Sequence, residues 1–596
     1  MFEVIYNSQD LNYKKPFGAV KQKETIEFNI KTNESCDVKL ITKSILGFES
    51  FDLNYVNKEN NYYKYSLEFN TEKYLGPIFY YFELTNKDKT YYFINNEDTT
   101  GGLGRLDTVK PDFEESIGKT YDNKPDFFYQ TYIYDIKYKV PEWFKTGVTY
   151  HVFVDRFYNE DFSLEKINKG LFEVYGGNLQ GIINKLDYLE DLGVNIIYLS
   201  PIFEAEGSHK YNIGDYEKID GDFGDIDIFK QLISEIKKRN MYLILDGVFN
   251  HSGSDSKYFN KYDNYDSLGA YQSKDSKYYS WYKFIDYPEK YECWRCIDTL
   301  PEYNQKNKEL LDYFFYDENA IIKRWMNLGI DGWRLDAADL LSDEYLTHIY
   351  DSVKKHDSNN VIIGELWQDA SIYIPNRDKK VRTYVCGNEI ESATNYPLHG
   401  FIINYSQGDF TPNTFCKKIY SLIENYPIEY YYALWNFTGT HDIPRILTIF
   451  NDNINYLKIY AVILMTLPGV PMIYYGDEVG LKGDGDPDNR KPFPWNNINN
   501  DLYNHFKELI SIRLTYDAFK KGSIHFIENN DFLIYERKFE DEEIYTILNN
   551  ADDKLFNINL IADNVKLKDI QTDEIYDSSN NEFELKKLSF KILKKI

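Results

Sequence analysis

Three patterns of apolar and polar positions follow one another along the chain. From residue 1 to about residue 138, apolar and aromatic residues alternate with polar ones in short runs such as 25–30, 62–69 and 78–84, with Asn, Asp, Lys and Gly between them. Alternation is typical of strands that bury one face, and many short strands with turn residues between them form sandwiches. We therefore predict an N-terminal β-sandwich over residues 1–138.

Strand-like and helical runs alternate between residues 139 and 516. Apolar residues at helical spacing predict helices at 179–192, 228–239, 313–326, 343–355 and 502–514. The apolar runs between them predict eight strands, at 148–157, 193–200, 241–245, 330–335, 361–363, 392–398, 432–437 and 471–476. This alternation is the pattern of an α/β fold of the (β/α)8 TIM-barrel type.

Two stretches differ from that alternation. Residues 252–300 are aromatic and polar without clear periodicity and are too long for an ordinary loop between a strand and a helix. After residue 516 alternation returns, for instance at 532–535 and 544–548. That return predicts a C-terminal antiparallel β domain over residues 517–596.

Composition narrows the classes of function. The chain carries 68 Lys and Arg against 95 Asp and Glu, a formal charge of −27, which repels phosphates and anionic headgroups. We therefore expect neither a nucleic acid nor a membrane as a partner. The 56 Tyr and 8 Trp offer apolar ring faces that stack on sugars, so a neutral polyol substrate is compatible with this composition.

Cysteine usage and the N-terminal residues bear on location. An odd number of cysteines cannot all pair within one chain, which favours a reducing compartment; they are Cys36, Cys293, Cys296, Cys386 and Cys416. The first residues lack a basic run followed by an apolar core, and no stretch reaches the ~18 apolar residues of a membrane span. We therefore expect a cytoplasmic protein. Cys293 and Cys296 have the spacing of metal ligands, but no second pair completes a zinc site, so we interpret them as ordinary thiols.

Acidic residues and histidines stand where four of the predicted strands end. The stretches are DGVFNH at 246–251, GWRLD at 332–336, GEL at 364–366 and THD at 440–442. The strand C-termini of a barrel meet on one face, so these residues are expected to share one pocket. Taken alone, each carboxylate could be a solvated cap or the partner of an arginine, but their recurrence at successive strand ends favours a catalytic set.

Two of the carboxylates suit the cleavage of an acetal with retention, which needs a nucleophile and a protonated acid about 5 to 5.5 Å apart. Asp336 follows Arg334 by two residues, and a guanidinium beside it would keep it ionised, so we predict that Asp336 is the nucleophile. Glu365 follows an apolar run, and partial burial beside other carboxylates favours a protonated acid.

The four stretches resemble the conserved regions of the α-amylase superfamily, glycoside hydrolase family 13. GPIFYYFEL at 76–84 resembles the N-terminal sandwich of cyclomaltodextrinases, neopullulanases and maltogenic amylases, and VTYHVFVDRF at 148–157 looks like the family's first barrel strand. The resemblance implies that Asp336, Glu365 and Asp442 are catalytic and that 252–300 is the family's domain B. The residues implied to bind substrate are Tyr211, His251, Arg334, His441, Asp486 and Arg490.

Three of the residues implied to bind substrate have another interpretation, which for Tyr211 is ordinary packing in a chain with 56 Tyr. Asp246 is expected to be a structural partner of Arg334 rather than a chemical participant. Asp486 and Arg490 lie in DGDPDNR at 484–490, which is close to the matching stretch of neopullulanases. The other interpretation of that pair is an ion pair in a surface turn.

Departures from the family pattern concern calcium. AADL at 337–340 stands where calcium-dependent α-amylases have Lys-His, and Leu340 cannot supply the histidine of their interdomain calcium site, although Asn250 is present. In a second calcium loop of the family, Asn159 and Asp161 are kept, but Leu164 and Asn178 replace the expected Asn and Asp. Fewer carboxylates bind a hard cation more weakly. We expect no required cofactor and leave calcium open.

The resemblance implies cleavage of α-1,4 links in maltooligosaccharides, cyclodextrins or pullulan, with some transglycosylation. A transglycosylase, glucosyltransferase or isomerase of the same superfamily is the alternative because it shares the three carboxylates, and a binding protein with an inactive barrel is disfavoured because all three are present. The resemblance also implies a homodimer formed through the N-terminal sandwich. Aromatic residues of the sandwich could form that interface, or alternate members could fill the core while the rest bind glucan directly. They are Tyr62, Tyr63, Tyr65, Phe79, Tyr80, Tyr81, Phe82, Tyr91, Tyr92 and Phe93.

Overall fold

The computed structural model describes residues 2–116, 127–135, 139–161, 163–164, 170, 172–372, 382–561, 565–577 and 581–596, and eight of its strands form one parallel sheet. In chain order they are Thr149–Val152, Ile196–Leu199, Tyr242–Gly247, Gly332–Leu335, Val361–Gly364, Ser392–Ala393, Trp435–Phe437 and Val470–Tyr474. Sequential strands are neighbours, and the first also pairs with the eighth. A parallel bridge between Thr394 and Trp435 links the sixth strand to the seventh. The sheet is thus curled into a nearly closed barrel, which confirms the predicted fold class.

Helices follow the barrel strands where the apolar spacing predicts them. Ile226–Lys238 buries Phe229, Leu232, Ile233 and Ile236 on one face, and Asp225 caps its N-terminus by accepting from two backbone N–H groups. The other helices between residues 179 and 521 are Leu179–Asn184, Leu186–Leu192, Lys308–Leu311, Ile321–Met326, Asp343–His356, Tyr396–Gln407, Pro412–Asn425, Ile428–Tyr431, Ile446–Ile449, Ile454–Thr466, Asn500–Thr515 and Asp517–Lys521.

The observed bounds of two helices and one strand differ from the predicted ones. The helix predicted at 179–192 is interrupted at Lys185, and the one predicted at 313–326 is interrupted between Asp312–Tyr316 and Ile321–Met326. The strand predicted at 392–398 ends at Ala393, because Asn395 caps a helix by accepting from the N–H of Leu398 at 3.2 Å. The prediction was wrong there because the apolar run continues across the cap into the helix.

The inserted segment after the third barrel strand has little regular structure, as its lack of periodicity predicted. It contains the 3-10 turns Tyr279–Trp281 and Trp294–Cys296 and the short hairpin Phe284–Asp286 with Lys290–Tyr291. Buried aromatic rings pack inside it, including Phe259, whose ring centroid lies 4.9 Å from that of Tyr282.

The C-terminal residues form the predicted antiparallel β domain. Its main sheet has the order Ser523–Ile527, Leu533–Phe539, Glu542–Asn549, Ser589–Lys595, Leu567–Asp569 and Ile575–Tyr576. A second pair, Lys554–Asn557 with Glu582–Leu585, completes it. Ile534, Ile547, Phe556 and Leu593 are among the buried residues of its core.

Contacts divide the chain into two units. The first comprises Met1–Val140, Trp367–Glu391 and Thr414–Tyr431, and the second comprises Pro141–Leu366, Ser392–Asn413 and Tyr432–Ile596. The grouping assigns two segments of the predicted barrel region to the first unit. The domain boundaries predicted at residues 138 and 516 stay predictions.

The first unit contains the predicted sandwich of two sheets. One sheet is built on Thr25–Thr32 and Tyr62–Asn70, and the other on Gly76–Asn86, which pairs with Asp37–Ser44 on one edge. The remaining strands are Val4–Ile5, Lys14–Lys15, Val20–Lys21, Gly47–Asp52, Asn54–Glu59, Lys89–Ile94, Arg105–Asp107 and Tyr129–Tyr134. Aromatic rings dominate the core between the sheets, where the hydroxyls of Tyr6 and Tyr80 lie 2.8 Å apart. Among the described residues, no helix is long and apolar enough to cross a membrane.

Candidate active site

The register of three neighbouring barrel strands brings two of the predicted catalytic residues, Asp336 and Glu365, to one level. Asp246 pairs with Arg334, and Leu335 pairs with Gly364. One step further on, the N–H of Asp336 donates to the carbonyl of Gly247 at 3.1 Å, and that of Glu365 donates to the carbonyl of Leu335 at 3.0 Å. Asp336 and Glu365 therefore leave adjacent strands at the same height.

Arg334 joins three of the carboxylates. Its Nη1 lies 2.8 Å from Oδ1 of Asp246 and 3.0 Å from Oδ1 of Asp336, and its Nη2 lies 2.8 Å from Oε2 of Glu365. The same Oε2 accepts from the N–H of Ala337 at 2.8 Å. All four charged side chains are buried, so the ion pairs are weakly screened by solvent.

Asp246 is the structural partner of Arg334 that the sequence predicted. Besides the guanidinium, it accepts from the hydroxyl of Tyr198 at 2.5 Å and from that of Tyr211 at 2.8 Å. Its side chain is fully buried. With these donors around it, Asp246 is occupied in holding Arg334 and Tyr211 in place.

Asp442 approaches the site from the end of the seventh strand. It lies 3.2 Å from Nε2 of His441 and 3.5 Å from Nη2 of Arg490, whose Nη1 lies 2.9 Å from Asp486. Arg490 also donates from Nε to the carbonyl of His441 at 2.9 Å. Arg490 is thus tied to Asp442 as well as to the turn, and it links Asp442 to Asp486, which is 47% exposed.

Tyr211, His251 and His441 lie beside this set of carboxylates. The ring of Tyr211 stacks on that of His441, with centroids 4.9 Å apart and planes 14° apart. Burial lowers the pKa of His251 to about 4 and the pKa of His441 well below its usual range. Both imidazoles are therefore neutral near pH 7. Within the described residues, Nε2 of His251 and Nδ1 of His441 are buried without a hydrogen-bond partner, which leaves them available to a ligand.

Burial dominates the electrostatics of the acidic groups. It raises the pKa of Asp336 well above its usual range; Arg334 opposes that rise, and the carboxylates of Glu365, Asp246 and Asp442 add to it. The expectation that the guanidinium of Arg334 keeps Asp336 ionised left out this desolvation, which raises the pKa of Asp336 despite the guanidinium. Burial and the neighbouring Glu365 raise the pKa of Asp442 to about 7. Asp336 and Asp442 therefore both hold a proton to a higher pH than an isolated aspartate does.

Three residues that contact the site were not predicted. Tyr198 donates to Asp246, and the ring of His151 stacks on that of Tyr198 with centroids 4.4 Å apart. His151 Nε2 lies 3.0 Å from the hydroxyl of Ser200. The polar His151 inside an apolar strand was the available signal, whereas one Tyr among 56 gives none. The third residue, Trp294 of the inserted segment, has its ring centroid 5.8 Å from that of His251.

The residues present do not fit an interdomain calcium ion. The side-chain oxygen of Asn250 and the carbonyl of Leu340 both accept from Nε2 of Gln305, at 3.4 and 3.1 Å. Oε1 of Gln305 accepts from the N–H of Ser342 at 2.8 Å, which fixes the orientation of the amide. An amide thus links the two oxygens that a cation would need.

The second calcium loop is no better a match. The side-chain oxygen of Asn159 accepts from the N–H of Asp161 at 2.8 Å, and that of Asn178 accepts from the N–H of Gly181 at 2.6 Å. Leu164 is buried and offers no side-chain oxygen. Across the part of the chain that the structure describes, no cluster of three or more His, Cys, Asp or Glu could hold a metal ion.

Comparison with known proteins gives a family match and full-length structural likeness. The model of the alpha-amylase catalytic domain matches residues 151–520. The chain is 31% identical to neopullulanase 2 of Thermoactinomyces vulgaris over 456 residues, covering 72% of this chain and 74% of that protein. A solved cyclomaltodextrinase structure has a TM-score of 0.71 at 23% identity, covering 100% of this chain and 99% of that one, which supports the fold.

A longer relative is also similar. The chain is 30% identical over 678 residues to an amylopullulanase of Thermoanaerobacter thermohydrosulfuricus, which covers 96% of this chain but 44% of that protein. The chain thus spans less than half the length of the amylopullulanases it matches.

Proposed function

The chain belongs to the α-amylase family, and we propose that it is a retaining α-glucan hydrolase that cleaves α-1,4-glucosidic bonds. The observation that carries the proposal is the guanidinium of Arg334, which contacts Asp336 through Nη1 and Glu365 through Nη2. Two carboxylates held by one planar group at adjacent strand ends suit the spacing of about 5 to 5.5 Å of a retaining pair.

In this mechanism Glu365 donates a proton to the glycosidic oxygen while a carboxylate oxygen of Asp336 attacks the anomeric carbon. The leaving sugar departs, and a covalent glycosyl ester forms on Asp336. Glu365 then takes a proton from a water molecule that attacks the same carbon. Two inversions return the original anomeric configuration.

The remaining residues are proposed to hold the sugar. Asp442 binds hydroxyls of the ring that is cut, and neutral His251 and His441 use their unpartnered nitrogens as further donors or acceptors. Tyr211 lines the same subsite with its ring, which stacks on that of His441, while its hydroxyl is held by Asp246. Asp486 and Arg490 bind the next sugar along the chain, and Arg334 keeps the carboxylates in register.

We propose maltooligosaccharides, cyclodextrins or pullulan as substrates. The support is the similarity to proteins named neopullulanase, amylopullulanase and cyclomaltodextrinase. The alternative is a transglycosylase, glucosyltransferase or isomerase of the family, which uses the same carboxylates but transfers the glycosyl group to a sugar.

The test is to incubate the protein separately with maltotriose, β-cyclodextrin, pullulan and starch, and to determine product size and anomeric configuration. We expect α-anomeric products from maltotriose or β-cyclodextrin, and a loss of kcat by several orders of magnitude in Asp336→Asn with the fold intact. Products of mainly higher mass, or equal action on sucrose or trehalose, would favour the alternative. Wild-type turnover by Asp336→Asn would remove that residue from the nucleophile role.

We also propose a cytoplasmic location and a homodimer formed through the N-terminal sandwich. Cys36, Cys293 and Cys296 are free thiols, which suits a reducing compartment. The dimer is supported by the family resemblance and by exposed apolar residues at the hairpin tip of the sandwich, Ile45, Leu46 and Phe48. No cofactor is proposed as a requirement for this chemistry.

A further inference from the structure

The sequence Cys293-Trp294-Arg295-Cys296 forms a tight turn in the inserted segment. The N–H of Cys296 donates to the carbonyl of Cys293 at 3.4 Å, and that of Ile297 donates to the carbonyl of Trp294 at 2.8 Å. A hydrogen-bonded turn of four residues keeps its end Cα atoms within about 7 Å. Disulfides span Cα separations of about 4.4 to 6.8 Å, so these two thiols are within bridging reach.

The turn is attached to the sugar-binding side of the site. Cys293 forms an antiparallel bridge with Pro301, and His251 forms one with Glu302. The N–H of Ser252 also donates to the carbonyl of Pro301 at 3.2 Å. One short ladder therefore connects the thiol turn to the backbone of His251.

Trp294, which stands between the two cysteines, makes that connection with its side chain. Its ring lies 5.8 Å from that of His251, and the guanidinium of Arg295 lies 4.9 Å from the Trp294 ring. Within the described residues, Nε1 of Trp294 is buried without a hydrogen-bond partner. The position of the indole is thus set by the turn and by ring contacts, rather than by a hydrogen bond of its own.

The backbone of the turn is strained. Arg295 has φ of 47° and Cys296 has φ of 62°, both in the left-handed region that side chains other than glycine seldom adopt. Such a conformation persists only while neighbouring contacts hold it. A covalent bond between the flanking thiols would impose its own geometry on these two residues and would move Trp294.

We propose that Cys293 and Cys296 form a redox-sensitive pair whose oxidation to a disulfide moves Trp294 against His251 and changes affinity for the glucan. The effect on affinity rests on the proposed function, whereas formation of the bond does not. Cys296 is exposed and is the thiol that an oxidant reaches first, and Cys293 is partly buried behind it.

The oxidant is an organic disulfide such as oxidised glutathione. The thiolate of Cys296 attacks one sulfur of that disulfide and releases one thiol, which leaves a mixed disulfide on Cys296. The thiolate of Cys293 then attacks the sulfur of Cys296 and releases the second thiol. Two protein thiols lose two electrons and two protons, and one external disulfide becomes two thiols.

The sequence offers a direct assay of the bond. Trypsin cleaves after Lys290, Arg295 and Lys306, so the two cysteines fall on separate peptides, 291–295 and 296–306. After treatment of the full-length folded protein with oxidised glutathione, we expect these peptides to migrate as one linked species that dithiothreitol separates. Cys416→Ser should retain that species, and Cys296→Ser should lose it.

The effect on function is measured with the same preparations. We expect oxidation to change KM for maltotriose by about 3- to 10-fold, the range expected when one aromatic contact is altered, with reversal by dithiothreitol. In the presence of the oxidant, Cys293→Ser and Cys296→Ser should each keep the KM that the reduced protein has. Folded protein that yields only glutathionylated or free peptides overturns the proposal, as does a complete bond without a change in KM. A protein that forms the bond but cleaves no tested glucan contradicts the proposed function and leaves the thiol pair in place.

Discussion

Arg334 places its Nη2 2.8 Å from Oε2 of Glu365, and that oxygen also accepts from the N–H of Ala337 at 2.8 Å. One oxygen of the carboxyl is therefore held from two directions. Because Arg334 is itself fixed by Asp246, the position of Glu365 depends on a buried ion-pair network rather than on its strand alone.

Replacing Glu365 by Gln should separate proton donation from nucleophilic attack. We expect kcat for maltotriose to fall by about 10²- to 10⁴-fold, since the leaving sugar then departs without a proton. The departure of fluoride from an α-glycosyl fluoride needs little protonation, so Glu365→Gln should lose far less activity on that substrate. Azide should restore turnover by the variant. Equal losses on both substrates, without rescue by azide, would make Glu365 a positioning residue instead.

A second prediction concerns Glu478, which is fully buried away from the carboxylates of the site. It accepts from the hydroxyls of Tyr150 and Tyr188 at 2.7 Å, and burial raises its pKa from 4.5 to about 7. Because the folded pKa is the higher one, the folded state retains a proton that the unfolded state has lost between those pH values. The stabilisation is complete below about pH 4.5 and is lost as the pH rises through about 7.

The expected size of that loss is about 3 kcal/mol, the equivalent of the pKa shift. Thermal unfolding of the wild type and Glu478→Gln should be measured from pH 5 to pH 8. The wild type should lose stability relative to the variant as the pH rises, while the exposed Glu528→Gln should follow the wild type. Parallel curves for Glu478→Gln and the wild type would contradict the assignment.

The third prediction concerns Gln305, whose amide links Asn250, Leu340 and Ser342. Since the amide takes the place of a cation, a chelator should leave the wild-type melting temperature unchanged. Gln305→Ala should lower the free energy of unfolding by about 1 to 3 kcal/mol, because it leaves buried polar groups unsatisfied. Gln305→Glu places a carboxylate against two acceptor oxygens, those of Asn250 and Leu340, and should also be less stable than the wild type. Calcium should partly restore the stability of this variant, because oxygen atoms are its preferred ligands.

Gln407→Glu is the matched control, because that exposed glutamine also donates to a backbone carbonyl, that of Ile449 at 3.1 Å. Its melting temperature should not respond to calcium. A wild-type protein that loses stability in chelator would show that a cation is bound after all.

The sequence predicted the residues at the strand ends because each carries two independent signals, an apolar run and a polar residue directly after it. Asp336 and Glu365 needed only the register of parallel strands to come together. Gln305 and Tyr198 carry no such signal, since a glutamine in a polar loop and a tyrosine in an apolar strand are both ordinary. Their roles arise from contacts between segments far apart in sequence, which no local pattern encodes.

The aromatic runs of the N-terminal region are a second case in which a local sequence pattern does not determine the contacts that residues make. Burial of Tyr65, Phe79, Tyr80, Tyr81, Phe82 and Phe93 assigns them to packing inside the first unit, and Tyr62, Tyr63, Tyr91 and Tyr92 are only partly exposed. The apolar residues that reach solvent lie elsewhere in this region, and Ile45, Leu46 and Phe48 are three of them. Counting aromatic residues therefore could not locate an interface, because alternation alone does not tell which face of a strand is covered.

The last prediction is that this exposed hairpin tip takes part in the proposed homodimer. Ile45, Leu46 and Phe48 are 53%, 54% and 56% exposed and lie within four residues of one another, an apolar cluster that a monomer gains little from displaying. We expect light scattering at micromolar concentration to give a dimer for the wild type and a monomer for the double variant Ile45→Asp, Leu46→Asp. Leu555→Asp is the matched control, since Leu555 is 62% exposed and lies in the C-terminal domain. This variant should remain a dimer.

If the partner subunit narrows the cleft, the monomeric variant should also digest starch faster relative to maltotriose than the wild type does. A variant starting near Lys139 should show the same change in preference. A wild-type protein that is monomeric and digests starch as fast as maltotriose would contradict the dimer and leave the assignments of Asp336 and Glu365 untouched. A dimer that survives the double variant would place the interface on another face of the sandwich, because two buried carboxylates without partners would not be tolerated at the original one.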